Sequence, residues 1–164
     1  MLIENLGRAR KALLDSLDGL TEDQLNATPP AGGPSIGQLA HHLQASERAT
    51  AALVLDALQS RSERVEEKDP SFLAACLQQG CNHDHAASGR FSATELIRLL
   101  EESRFRDLQS VFNETHERVL AERSLERPPF GRVSLKNLLD TIWIHDELHG
   151  KQIAAIKQSL GATA

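Results

Sequence analysis

Nowhere in this chain does an apolar run approach the roughly 20 residues that a membrane-spanning helix needs, so a membrane protein is not expected. The first 17 residues, MLIENLGRARKALLDSL, mix charges among their apolar positions and lack the unbroken stretch of a secretory signal, which makes the cytoplasm the expected location. Lysine and arginine form no cluster, and the formal net charge is -5. That balance argues against nucleic acid as a partner. Cysteine is limited to Cys76 and Cys81, and two thiols in a cytoplasmic chain ordinarily stay reduced, so no disulfide is expected to carry the fold. Glycine and proline are gathered mainly into breaks between long segments, and no internal repeat is present. What is abundant is ordinary globular material: 40% apolar and 25% charged residues over 164 positions, the size of one domain spanning residues 1–164.

Periodicity predicts four long amphipathic helices. The first covers about 2–18, with Ile3, Leu6, Leu13, Leu14 and Leu17 spaced by threes and fours. Thr21 and Gln24 form a capping box for a short turn, and the stretch from Pro29 to Pro34 then breaks helical structure. Ser35 caps a second helix reaching about residue 59, and a polar, irregular stretch over 60–91 holds one short helix near 72–77. Ser92 and Glu95 form another capping box, opening a helix to about 121. Ser134 caps the last helix, which Gly161 ends. With no strand expected, the fold class is all-α, a four-helix bundle. Some thirty residues separate helices two and three, enough to cross the bundle and let those helices run parallel.

The chemistry lies in the histidines. His145 and His149 are four apart on the last helix, so their rings share one face. Projection at 100° per residue puts His149 and Asp146 inside the apolar arc and His145 at its edge. Buried rings need partners, and one metal ion would supply both, as in helices that offer two imidazoles to zinc. On helix two, His42 lies about 80° from the apolar centre while His41 lies roughly opposite, so His42 is the third expected ligand and His41 a solvated residue. Glu47 and Asp146 are candidates for a base or for orienting the ligands, with Glu47 also fitting a boundary residue paired to a basic neighbour. A rival cluster, Cys76, Cys81, His83 and His85, lacks a usual zinc spacing, and the apolar surroundings of Cys76 suit a small buried residue. His116 fits a solvated face. Residues 60–91 are the expected cover over the opening of the site.

The segment Ser35 to Leu43, containing His41-His42, together with Phe130 to Leu135 and His145-Asp146-Glu147-Leu148-His149-Gly150-Lys151-Gln152-Ile153, resembles the DinB/YfiT-like superfamily, in its HDxxH branch. The resemblance runs in order along nearly the whole chain. It implies a four-helix bundle of up-down-down-up order, often dimeric, with a divalent metal such as nickel or zinc on His42, His145 and His149. It also implies transferase or isomerase chemistry with a low-molecular-weight thiol, while the open positions of a three-histidine metal site make a transferase or a hydrolase acting on a small-molecule substrate the expected enzyme. A non-enzymatic, metal-stabilised module for dimerisation or binding is the alternative. Because imidazole ligates only when neutral, metal release is expected below a pH of about 6.

Overall fold

The computed structural model describes residues 1–80 and 89–161. Helix α1 (Leu2–Leu17) buries Leu2, Leu6, Ala9, Leu13 and Leu17, a stripe one residue out of step with part of the expected one, so Ile3 faces solvent. The short α2 (Glu22–Asn26) begins with the expected capping box: Gln24 N–H donates to Thr21 Oγ1, and Thr21 N–H donates to Gln24 Oε1. The same reciprocal pair, Ser35 with Gln38, starts α3 (Ile36–Ala57). Helix α4 (Pro70–Gly80) lies within the long connection and packs on the last helix.

The third long helix departs from expectation. At Ser92 only the hydroxyl half of the capping box is formed among the described residues, with Glu95 N–H donating to Ser92 Oγ. The helix α5 (Ala93–Glu102) then widens into a π segment over Ser103–Leu108, continues as α6 (Gln109–Glu114), and stops. Thr115 and His116 are extended, α7 (Glu117–Glu122) follows with no side-chain bond from His116 capping it, and Leu120 is the residue that enters the core there. A single period of 3.6 drawn from 92 to 121 cannot follow a π turn and a two-residue break, so the one continuous helix expected there is interrupted. Strands are present too. Ser124–Arg127 (β1) and Gly131–Ser134 (β2) pair antiparallel around Pro128-Pro129-Phe130, with Gly131 at a φ of 75°. The stretch is short and not strictly alternating, so periodicity gives no sign of it.

Helix α8 (Leu135–Ser159) is capped by Ser134, whose hydroxyl accepts from Asn137 N–H. Two apolar clusters fix the topology. One joins the start of α1 (Leu2, Leu6), the end of α3 (Val54), the residues Leu108 and Val111, and the start of α8 (Leu135, Leu138). The other joins the end of α1 (Leu13, Leu17), the start of α3 (Ile36, Leu39), the start of α5 (Leu96, Leu100) and the end of α8 (Ile153, Ile156). So α3 and α5 run parallel to each other and antiparallel to α1 and α8. This is the up-down-down-up four-helix bundle, and the connection from 58 to 92 runs back along the bundle length.

Gly37 sits where α3 meets its neighbours most closely. A Cβ there would lie 2.8 Å from Phe91 Cδ2 and 3.0 Å from the Leu25 carbonyl oxygen, and the latter cannot swing aside. Gly37→Ala is therefore expected to cost about 1–3 kcal/mol. Gly7, in α1 with nothing near its Cβ position, is expected to gain about 0.5–1 kcal/mol as Ala. Urea denaturation of both variants checks the opposite signs, and a stabilised Gly37→Ala protein would contradict the packing described.

Candidate metal centre

Two caps set the phase of the site. With α8 starting at Leu135, Ile142, His145, His149, Ile153 and Ile156 fall on one inward stripe. With α3 starting at Ile36, Leu39 and Leu43 face the core and His42 lies on their flank, half-buried. The structure thus brings together the three expected residues. The His42 ring lies 4.9 Å from that of His145 and 5.4 Å from that of His149, edge-on to both at 87°. The His145 and His149 ring centroids are 4.5 Å apart.

Their nitrogens converge. Nε2 of His145 and Nε2 of His149 are 2.9 Å apart, and one candidate ligand atom from each of the three residues lies within 4.8 Å of the others. Three imidazoles on one tetrahedral ion, with Zn–N bonds near 2.0–2.1 Å, would place their nitrogens about 3.3 Å apart. The 2.9 Å Nε2 pair lies slightly inside that value, and the 4.8 Å limit on the whole set leaves room for it. His145 and His149 are 8% and 3% exposed, and two ring nitrogens aimed at each other in such a place require a proton or a cation between them. Gln152 orients one of the two rings for either. Its Oε1 lies 2.9 Å from His149 Nδ1, so Nδ1 carries the proton and Nε2 presents its lone pair to the cluster. Ser46 Oγ stands 3.4 Å from His42 Nε2. Gln152 was visible as a polar residue three after His149 on the same face, a spacing from which its orienting role could have been read.

Glu47 and Asp146 are both buried, and both belong to a charge network. Arg10 Nη2 donates to Glu47 Oε2 at 2.5 Å and Arg10 Nε to Asp146 Oδ2 at 3.0 Å. Arg104 Nε donates to the other Glu47 oxygen at 2.7 Å, and Ser103 Oγ adds a bond of 3.1 Å. Burial alone would pull the Arg10 guanidinium down, but Asp146 and Glu47 outweigh it and hold the cation above the ordinary arginine value. The basic partner expected for Glu47 is there, though Glu47 sits in the interior and not at a boundary. With their oxygens taken up by arginines, the two carboxylates tie α1, α3, the π segment and α8 together. Arg10 and Arg104 were missed because a lone arginine in an amphipathic stripe reads as a flanking residue.

His41 is half-buried, its ring 5.4 Å from Phe91, where a solvated residue was expected. Phe91, which also lies over Gly37 one turn earlier, covers one side of it. His116 is exposed as expected. Of the rival cluster, Cys76 is described and half-buried, while Cys81, His83 and His85 lie outside the described residues.

A cleft of about 290 Å³ reaches the triad. His42 and His145 line it, with Ser46 and Thr50 from α3, Thr141 from α8, and the hairpin turn. Cys76 and Leu77 of α4 add to its wall, so the described part of the connection does border the site. No described helix is long and apolar enough to cross a membrane.

The fold is similar to that of YfiT from Bacillus subtilis, described as a probable metal-dependent hydrolase with an unusual four-helix bundle topology. The TM-score is 0.69 at 18% identity, covering 99% of this chain and 87% of that one. It is also similar to TT2238, described as a four-helix bundle protein, with a TM-score of 0.62 at 19% identity over 93% and 94% of the two chains. At these identities the likeness is one of fold. No curated protein matches the chain. The sequence itself supplies the relationship, for a family model of the DinB superfamily matches residues 5–153, and the protein belongs to that superfamily.

Proposed function

We propose that this protein is a metal-dependent enzyme acting on a small molecule, and that hydrolysis is the reaction its site suits best. The observation that carries this reading is the convergence of three imidazole nitrogens at the end of a cleft open to solvent. Three protein ligands leave coordination positions for reactants, as catalytic sites do and closed structural sites do not. When bound, a divalent ion such as zinc or nickel lowers the pKa of a water or thiol and polarises a carbonyl or phosphoryl oxygen.

The chain's own residues supply the positioning. Gln152 fixes the His149 ring, and the paired caps of α3 and α8 fix the height of His42 against His145. Thr141 Oγ1 donates to the Leu138 carbonyl at 2.5 Å and so keeps its lone pairs for a donor on the substrate. Phe130, Leu138 and Leu77 give the cleft an apolar side that favours the carbon body of a ligand. The probable hydrolase activity of YfiT supports hydrolysis over transfer to a low-molecular-weight thiol. The family's dimers have a candidate face here in the apolar groove between α1 and the π segment, where Ile3 and Phe105 are 62% and 73% exposed.

The first test is metal analysis of protein purified without nickel resin and offered zinc, nickel, manganese, cobalt or iron. One equivalent per chain is expected, falling away below a pH of about 6 as the imidazoles protonate. Folded protein that takes up none of these ions would overturn the reading. Loaded protein assayed on esters, amides and phosphoesters, with and without added thiol, then separates hydrolase from transferase.

A further inference from the structure

The cleft that reaches the triad has one permanently charged residue among its described lining residues, Arg127. The others are His42, His145, small hydroxyls, the Cys76 thiol and apolar groups. Arg127 is the last residue of β1, opposite Gly131, and its carbonyl accepts from Phe130 N–H at 2.8 Å to close the turn. Phe130 is only 8% exposed and roots that turn in the core, so the backbone carrying Arg127 is held in place from beneath.

Most arginines here already have an acid. Arg8, Arg48, Arg98 and Arg132 each meet a carboxylate at the surface, and Arg10 and Arg104 do so inside. Among the described residues no carboxylate pairs with Arg127. In a chain with a net charge of -5, a guanidinium without a carboxylate partner, carried by a residue of the cleft wall, makes the cleft mouth locally attractive to anions. A guanidinium presents its donors in a flat fork that matches a carboxylate in two parallel bonds. The volume of about 290 Å³ lies at the lower end of ligand pockets, and the neighbouring Pro128, Pro129, Phe130 and Leu138 are apolar.

We infer that the substrate is a small carboxylic acid with a short apolar body, bound with its carboxylate on Arg127 and its reacting group toward His42 and His145. This deepens the enzyme reading above and rests on it, but Arg127 binds the carboxylate through its own charge, whether or not the triad holds an ion. Arg127 is thus a specificity-determining residue. A neutral analogue of the same shape should bind more weakly.

Calorimetric titration of hexanoate and of hexanamide tests this, using protein as purified with its metal and the same protein after chelation. In the wild type the acid is expected to bind about tenfold more tightly than the amide in both forms. Arg127→Gln should bring the two ligands to parity by weakening the acid alone, and Arg127→Lys should keep part of the preference. Circular dichroism controls the fold, which a change at this exposed position should not disturb. An acid preference that survives Arg127→Gln and vanishes on chelation would place the carboxylate on the ion, overturning the role of Arg127 while supporting the metal site. Equal affinities for acid and amide in the wild type would also overturn it. A preference lost in Arg127→Gln, in protein that binds no metal, would uphold this inference and sink the metal reading instead.

Discussion

Replacing His149 with Ala is expected to abolish stoichiometric metal binding, lowering affinity by more than about 100-fold, beyond the roughly 10- to 100-fold that follows loss of a partner outside the ligands themselves. His149 contributes the most enclosed ring of the triad and its Nε2 faces that of His145 at 2.9 Å. Two imidazoles that remain after truncation leave an ion half-solvated, and the vacated space admits water. Gln152→Ala should fall in the intermediate range, since it frees the ring without removing it. His41→Ala should leave metal content nearly intact, because that ring packs on Phe91 on another side of α3. Metal content of the folded variants, with circular dichroism alongside, gives the ranking. Equal losses in His149→Ala and His41→Ala would show that the ligands have been misassigned.

Glu47→Ala should be the most damaging single change to stability, by about 3–5 kcal/mol, against a total of roughly 5–15 for a domain. The side chain is wholly buried and receives Arg10, Arg104 and Ser103 at once. Its removal leaves two guanidinium groups inside the bundle with Asp146 alone to answer them. An apolar replacement of the whole network, with Arg10, Glu47, Asp146 and Arg104 exchanged together for residues of similar volume, should be milder than Glu47→Ala because no charge is stranded. Urea denaturation midpoints decide the matter. A loss below about 1 kcal/mol in Glu47→Ala would mean that water reaches these charges.

The site was more legible in the sequence than the helices were. Ser35 and Ser134 declare where α3 and α8 begin, and once the starts are known, rotation by 100° per residue places His42, His145 and His149 correctly. Local chemistry determines those caps, so local reading finds them. The third helix resisted because its irregularity is imposed from outside: Ser103 turns to Glu47, 56 residues away, and the π segment accommodates it. The hairpin escaped for a related reason, since its four-residue strands are fixed as much by Ser124 bonding to Ser62 and Glu63 as by their own pattern. The role of Glu47 was readable only as a pairing, because depth in the interior depends on arginines from two other helices.

The pairing of α1 with α8 also governs when the molecule can be finished. Arg10 and Asp146 are 136 positions apart, and the apolar stripe of α1 packs in part on a helix that begins at Leu135. During synthesis at about 5–20 residues per second, the first helix leaves the ribosome on the order of ten seconds before its partner exists. Throughout that interval Leu6, Leu13 and Leu17 lack the surface that will cover them, and Arg10 lacks half of its counter-charge. Contacts between such distant segments also slow closure of the chain once it is complete. A ribosome stalled before residue 135 would therefore hold a chain whose first helix lacks the partner that covers much of its apolar stripe.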